Sequence, residues 1–169
     1  MSEYELTTGY SPGSIGRIAE LHALYYSENW GFGKYFEAKV ATELSVFISN
    51  YDEAIDCIFL LKIDGKIEGS ISIDGTSENS NIAHLRWFII SDKLKGKGAG
   101  NHLMREAIGF CDNRGYECVY LWTFEGLGSA RHLYEKYGFS LTEESVGEQW
   151  GSIVTEQRFD AKIHASSNA

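Results

Sequence analysis

The sequence contains no hydrophobic run long enough to cross a membrane and no recognisable secretion signal. A membrane helix needs about 18 consecutive apolar residues, and the apolar segments of this 169-residue chain are all much shorter. The first residues, Met1-Ser2-Glu3-Tyr4-Glu5, have neither the basic start nor the apolar stretch of a signal peptide. The sequence therefore predicts a cytoplasmic protein with no membrane partner.

The chain is also poor in cysteine and in positive charge. Cys57, Cys111 and Cys118 are odd in number, lack C-x-x-C spacing and lie in apolar segments, which predicts buried thiols and no metal site. A formal net charge of −9 disfavours nucleic acid and anionic membranes as partners, because both bind through basic patches. The charge is compatible with a cationic amine as substrate, and also with an acidic surface that only keeps the domain soluble.

The length and the hydrophobic content of the chain fit one domain. Hydrophobic residues make up 43% of the chain, enough for a sizeable core, so we expect a single domain over residues 1–160 and a frayed tail over residues 161–169. Periodicity and turn signals predict these elements in chain order: a strand over Glu5–Tyr10; a helix capped by Ser14 and stopped by Gly31-Phe32-Gly33; a helix over Tyr35–Tyr51; strands over Ile58–Ile63 and Ile67–Ile73 joined by Asp64-Gly65-Lys66; a strand over Ile82–Ile90; a helix ending near Arg114; a strand over Glu117–Thr123; a helix over Ser129–Tyr137; and strands over Phe139–Thr142 and Ile153–Phe159. This order predicts a mixed α/β (α+β) fold with a partly parallel centre.

A glycine-rich turn, Lys95-Gly96-Lys97-Gly98-Ala99-Gly100, lies between a predicted strand and a predicted helix. Glycine lets backbone amides approach a ligand closely, and a helix N-terminus attracts phosphate. The spacing fits neither a P-loop nor a dinucleotide fingerprint, since Gly100 is followed by Asn101-His102 and Leu103 stands where a third glycine would be. A phosphate site and a purely structural turn both remain open.

The turn also fits the pattern [Arg/Gln]-x-x-Gly-x-[Gly/Ala], and here the sequence resembles the GNAT superfamily of acyl-coenzyme A dependent N-acyltransferases. Lys95, Gly98 and Gly100 occupy the slots of the pattern, with lysine in place of arginine or glutamine. The strand Leu85–Ile90 and the segment Ala130–Phe139 are similar to the family's central strand and late helix. The stretch around His22–Ala38, with Leu121-Trp122-Thr123, is similar to GNAT domains often fused to MarR-type regulators.

The resemblance implies a mostly antiparallel sheet with two splayed parallel strands, flanked by helices, and acetyl-coenzyme A as co-substrate. The pantetheine arm would bond to the backbone of the first splayed strand, and the diphosphate would rest on the amides from Gly96 to Asn101. Ser129 either replaces a cofactor contact that Leu127 cannot make or caps the following helix. The implied cofactor-binding residues are Phe88, Ile89, Ile90, Lys95, Gly96, Lys97, Gly98, Ala99, Gly100, Asn101, Ser129 and Tyr134.

Acetyl transfer to an amine needs a proton donor for the leaving thiolate and an acceptor for the amine proton. The resemblance implies Tyr134 as general acid, and His84 stands where many relatives carry a catalytic glutamate. Strand alternation predicts that His84, Arg86, Phe88 and Ile90 share one side of the strand.

The amine acceptor itself is not identified by the sequence. Candidates for an aromatic and acidic cage around it are Tyr25, Glu28, Trp30, Phe32, Glu148, Trp150 and Glu156. The alternative function is a noncatalytic acyl-coenzyme A sensor, and a homodimer is an expectation because dimers are common among the proteins that this sequence resembles.

Overall fold

The computed structural model describes residues 3–77 and 79–163 of the chain. The order of elements is that predicted from the sequence, with ends that differ by a few residues. Their bounds are: β1 (Glu5–Thr8), α1 (Ser14–Trp30), α2 (Lys34–Ser49), β2 (Cys57–Ile63), β3 (Lys66–Asp74), β4 (Ile82–Ile90), a 3₁₀ turn (Asp92–Leu94), α3 (Ala99–Arg114), β5 (Cys118–Phe124), α4 (Gly128–Lys136), β6 (Ser140–Gly147) and β7 (Val154–Lys162).

The strands form one seven-stranded sheet in the order β1-β2-β3-β4-β5-β7-β6. Among the described strands only β4 and β5 run parallel, and the other neighbours are antiparallel. Helices α3 and α4 pack on one face of the sheet through a cluster that includes Leu103, Met104 and Phe159. Helices α1 and α2 cover the other face through Ile18, Leu44 and their neighbours. The predicted fold class is therefore confirmed.

Several local predictions are confirmed and others are wrong. Asp64 and Gly65 both have positive φ, as the predicted hairpin turn requires. Ser14 is not an N-cap: it is the first residue of α1, and its hydroxyl donates to the Ser11 carbonyl. The final strand continues to Lys162, beyond the predicted boundary at residue 160, and Ala161 is buried. Residues 164–169 of the predicted tail lie outside the described residues.

The parallel strands β4 and β5 separate soon after they meet. Their register pairs Ile82, Ala83 and His84 with residues of β5 and stops there. Beyond His84, β4 has no strand partner on that side in the described chain, while β5 continues beside β7. The fork between β4 and β5 leaves strand backbone available to another molecule, and it confirms the expected splayed pair.

A β-bulge at Trp87 interrupts the alternation of β4. The register with β3 shifts between Ser70 and Ser72, and Trp87 has a φ of +49°. A bulge inserts one residue and reverses which side the following residues face. Leu85 and Phe88 consequently both contact the cluster under α3, whereas Trp87 packs toward α1 and α2. The prediction that His84 and Arg86 share a side with Phe88 and Ile90 is therefore wrong.

Candidate active site

The glycine turn presents unpaired backbone amides at the start of α3. Gly98 is the residue before the helix and has a φ of +74°, a left-handed conformation that favours glycine. The amides of Gly96, Gly98, Ala99, Gly100 and Asn101 have no acceptor within residues 3–77 and 79–163. Free N-H groups together with the positive end of the helix dipole are suited to bind an anion.

Both lysines of the turn are already bonded. The Lys97 amide donates to the Leu94 carbonyl at 3.3 Å, so among the amides from Gly96 to Asn101 this one is already used within the protein. The Lys97 ammonium pairs with Glu3, and the Lys95 ammonium pairs with Asp92 at 2.8 Å. These exposed ion pairs contribute little to stability, so a polyanion can compete for both lysines.

The start of α3 lies against the open part of β4. A Cβ built on Gly100 would lie 3.5 Å from Phe88, 3.9 Å from Ile90 and 3.5 Å from Leu133 of α4. The structure therefore brings together the turn, the strand and the late helix that the sequence marked as cofactor-binding. The Asn101 side chain is used structurally, since it accepts hydrogen bonds from Lys136 and Tyr137.

Ser129 does not cap α4, and that prediction is wrong. Helix α4 begins at Gly128 after Leu127 and has no side-chain cap. Ser129 is exposed and is already inside the helix, so its hydroxyl cannot satisfy the first free amides in the manner of a cap.

A cavity of about 160 Å³ opens between the splayed strands and the helices α1 and α2. Its walls come from α1, α2, β4, β5, α4 and the loop before β7. The lining side chains include His22, Tyr26, Phe36, Lys39, Glu43, His84, Arg86, Thr123, Phe124, Tyr134, Gln149 and Trp150.

Tyr134 lines the cavity from α4, beside Phe88 of β4. The residue is 7% exposed, its ring contacts Phe88, Phe139 and Phe159, and its hydroxyl has no hydrogen-bond partner in the described residues. Burial raises the pKa of Tyr134 above its usual value. The phenol therefore stays protonated, as a general acid must before it donates.

His84 also lines the cavity, from the side of β4 that faces α1 and α2. Its ring stacks on Tyr120 with centroids 4.3 Å apart. Burial lowers the pKa of His84 to about 3, with Arg86 and Arg158 adding to the effect. The imidazole is neutral near pH 7, but its neighbours make it a weak base.

Four charged residues that sequence reasoning did not assign form an ion cluster at the cavity. Glu43 of α2 pairs with Lys39 at 2.6 Å and with Arg86, which also reaches Asp74 at 3.2 Å. The residues come from α2, β3 and β4, so only tertiary packing brings them together.

The predicted amine cage is mostly wrong. Of its seven members only Trp150 lines the cavity. Phe32 is buried in the core, and Tyr25 lies beside Lys95 of the turn. The Glu156 carboxylate accepts two hydrogen bonds from Gln149, each 2.9 Å long, so it is not free for a cation.

The prediction of buried thiols is confirmed for two of the three cysteines. Cys57 and Cys111 are buried and Cys118 is half-buried, and all three are free thiols. No cluster of ligating side chains suited to a metal ion occurs in residues 3–77 and 79–163. Over the same residues no helix combines the length and the apolar character needed to span a bilayer.

These features together define a class of protein. An anion site at a helix start, a strand edge open beside it and a protonated phenol at the end of the fork suit an enzyme that takes an acyl group from coenzyme A. Residues 15–139 match the model of the acetyltransferase (GNAT) family, and the chain belongs to that family.

Individual relatives are distant. An uncharacterized N-acetyltransferase of Methanocaldococcus jannaschii is 25% identical over 91% of this chain and 70% of its own length. Human N-acetyltransferase 8B is 24% identical over 81% of this chain and 62% of its own length. Among solved structures, an acetyltransferase from Salmonella typhimurium with its cofactor acetyl-CoA has a TM-score of 0.74 at 11% identity, covering 96% of this chain and 95% of its own. At this identity the likeness of structures supports the fold.

Proposed function

We propose that this chain transfers the acetyl group of acetyl-coenzyme A to a primary amine that enters the cavity between β4, β5 and the first two helices. The observation that carries the proposal is the convergence of three features on one fork. These are the free amides at Gly98–Asn101, the unpaired edge of β4 and the partnerless phenol of Tyr134.

Different parts of the chain bind different parts of coenzyme A. The turn amides and the α3 dipole hold the diphosphate, with Lys95 and Lys97 as exposed charges at the rim. The open backbone of Phe88–Ile90 offers directional hydrogen bonds to an extended amide-containing arm. We propose the Phe88 amide as the donor that polarises the thioester carbonyl.

Acetyl-coenzyme A supplies an activated acetyl thioester. In the transfer, the amine nitrogen forms a bond to the acetyl carbon and the carbon–sulfur bond breaks. Tyr134 donates its proton to the leaving sulfur, and the nitrogen loses one proton, so the products are an amide and free coenzyme A. The neutral imidazoles of His84 and His22 line the cavity and can receive that proton.

Replacing Tyr134 by Phe tests the proposed acid. The hydroxyl has no hydrogen-bond partner in the described residues, so its removal should leave the fold and coenzyme A binding intact. We expect kcat to fall about 100-fold or more, the range typical of general acid catalysis. Release of free coenzyme A measures the rate, and a thermal shift with coenzyme A measures binding.

Tyr10→Phe is the matched control, because Tyr10 is 55% exposed and remote from the cavity. An undiminished rate for Tyr134→Phe would exclude Tyr134 as the acid. Coenzyme A binding by the wild type without turnover of any amine would favour a noncatalytic acyl-coenzyme A sensor.

A further inference from the structure

His22 contributes an unassigned polar atom to the acceptor cavity. The residue lies on α1, is 6% exposed and lines the cavity. Its Nδ1 lies 2.8 Å from the Ile18 carbonyl oxygen. A carbonyl can only accept, so Nδ1 carries the proton and Nε2 of the neutral ring is a hydrogen-bond acceptor. Nε2 has no partner in the described residues.

Apart from the ion cluster, aromatic side chains form much of the cavity lining that includes His22. The Tyr26 ring lies 6.2 Å from His22 and 5.1 Å from Phe36, measured between centroids. Phe124 and Trp150 continue the wall, 5.6 Å apart. Like Tyr134, Tyr26 has a hydroxyl without a hydrogen bond in the part of the chain that the structure describes. One side of the cavity is thus apolar, with a few neutral polar atoms set into it.

No free carboxylate is available there to hold a cation. Glu43 is the acidic residue of the lining within the described ranges, and its two oxygens are bonded to Lys39 and Arg86. Within the described ranges the charged residues of the lining are Lys39, Arg86 and Glu43, and Asp74 balances the remaining positive charge through its pair with Arg86. A polyamine would therefore find no unpaired countercharge.

The size of the cavity and the burial of its walls also favour a small amine that binds in its neutral form. A cavity of about 160 Å³ is close to the roughly 150 Å³ of an apolar protein cavity that accepts benzene. Burial lowers the pKa of His22 to about 4, so the free ring is neutral near pH 7 and takes a proton only from a strong acid, which the amine nitrogen becomes once it is bonded to the acetyl carbon. The same desolvation favours the neutral, nucleophilic form of a bound amine.

We propose that His22 Nε2 binds the acceptor nitrogen, and that the acceptor is a monoamine carried on a small aromatic or apolar group. The proposal rests on the acetyltransferase function above and deepens it. His22 accepts a hydrogen bond from the amine N-H. It then takes one proton from the nitrogen as the carbon–nitrogen bond forms, because the nitrogen becomes much more acidic at that point. The proton passes to solvent after the amide leaves.

Two substitutions separate the roles of His22. The side-chain amide of Asn can still donate a hydrogen bond to the Ile18 carbonyl, but it has no acceptor at the position of Nε2. The longer side chain of Gln can place an amide oxygen near that position, where it accepts a hydrogen bond from the amine but does not take its proton. We expect His22→Asn to lower kcat/KM for 2-phenylethylamine about 100-fold, with KM for acetyl-coenzyme A unchanged. His22→Gln should recover part of the loss through KM for the amine. His132→Asn, on the exposed side of α4, is the matched control.

The test is a set of initial rates with benzylamine, 2-phenylethylamine and spermidine, on the wild type and the three variants. Higher kcat/KM for the two arylalkylamines than for spermidine, together with the loss in His22→Asn and partial recovery in His22→Gln, supports the proposal. Preference for spermidine, or equal rates for His22→Asn and the wild type, would overturn it while acetyl transfer stands. Failure of the wild type to acetylate any amine, despite binding coenzyme A, would overturn both proposals.

Discussion

At the scale of single residues, burial determines whether Tyr134, His22 and His84 carry a proton near pH 7. Tyr134 keeps its proton and can give it away, while His22 and His84 lose theirs and can accept. His22 is held in one tautomer by Ile18, whereas His84 lies among Arg86, Arg158 and the Tyr120 ring. A proton should therefore leave the amine toward His22 more readily than toward His84.

The same burial makes stability depend on pH. The pKa of His84 falls from 6.5 to about 3 on folding, so below pH 6.5 the unfolded chain binds a proton that the folded chain does not. Stability is then lost as the pH falls. Replacing His84 by Gln removes this term. Between pH 7 and pH 5 we expect the free energy of unfolding to fall less in the variant than in the wild type, by about 1 to 2 kcal/mol.

Urea unfolding at the two pH values measures the difference, and His132→Gln on the exposed side of α4 serves as control. Equal loss of stability in the wild type and in His84→Gln would show that His84 titrates alike in both states.

Some candidate site residues can be recognised from the sequence, because they lie in short local motifs. Others cannot, because they come together only by tertiary packing. The turn glycines and Tyr134 lie in short motifs whose spacing is local. His22 was given no role from the sequence. Its position beside a cavity depends on β4 and on the loop that carries Trp150, far along the chain. The ion cluster of Glu43 and Arg86 was missed because its members come from different elements.

At the scale of elements, the start of α3 presents the free amides that we propose as the diphosphate site. Both helix ends are marked by glycine in the left-handed conformation: Gly98 before the helix with a φ of +74°, and Gly115 after it with a φ of +79°. A Cβ added at either glycine would meet nothing within 4 Å. The two positions therefore have the same backbone strain, and only one of them borders the free amides.

This symmetry allows a matched pair of substitutions. Gly98→Ala and Gly115→Ala should each cost about 1 kcal/mol of stability, because alanine disfavours the left-handed region. We expect only Gly98→Ala to reduce the rise in thermal midpoint that coenzyme A produces, since relaxation there moves the amides from Gly98 to Asn101. A thermal shift with and without coenzyme A measures both effects. An equal midpoint rise in the two variants would contradict a diphosphate site at the start of α3.

Strand elements were predicted well where apolar alternation was regular. β4 has the predicted bounds, but its sequence carries no signal of a bulge, so the reversal at Trp87 was not foreseen. β6 runs to Gly147, farther than expected, because its residues are mostly exposed and Thr142-Glu143-Glu144-Ser145 lacks an apolar pattern. It is held by pairing with β7 instead of by burial.

At the scale of the whole molecule, the fold places two different environments on either side of the β4–β5 fork. A polar rim of amides and lysines lies beside α3, and an aromatic cavity lies beneath α1 and α2. Element order and family resemblance were enough to predict the mixed α/β fold and the acetyltransferase function. Cytoplasmic location and a homodimer stay predictions, because they depend on surroundings or partners that composition does not specify.

The central claim is that the carrier's diphosphate binds the free amides at the start of α3 and that its thiol end lies beside Tyr134. A crystal structure of the protein with coenzyme A tests it directly. We predict diphosphate oxygens within about 3.2 Å of the amide nitrogens of Gly98 to Asn101, the pantetheine arm along Phe88–Ile90, and the sulfur next to the Tyr134 hydroxyl. Coenzyme A bound elsewhere, with these amides contacted by solvent alone, would contradict the account.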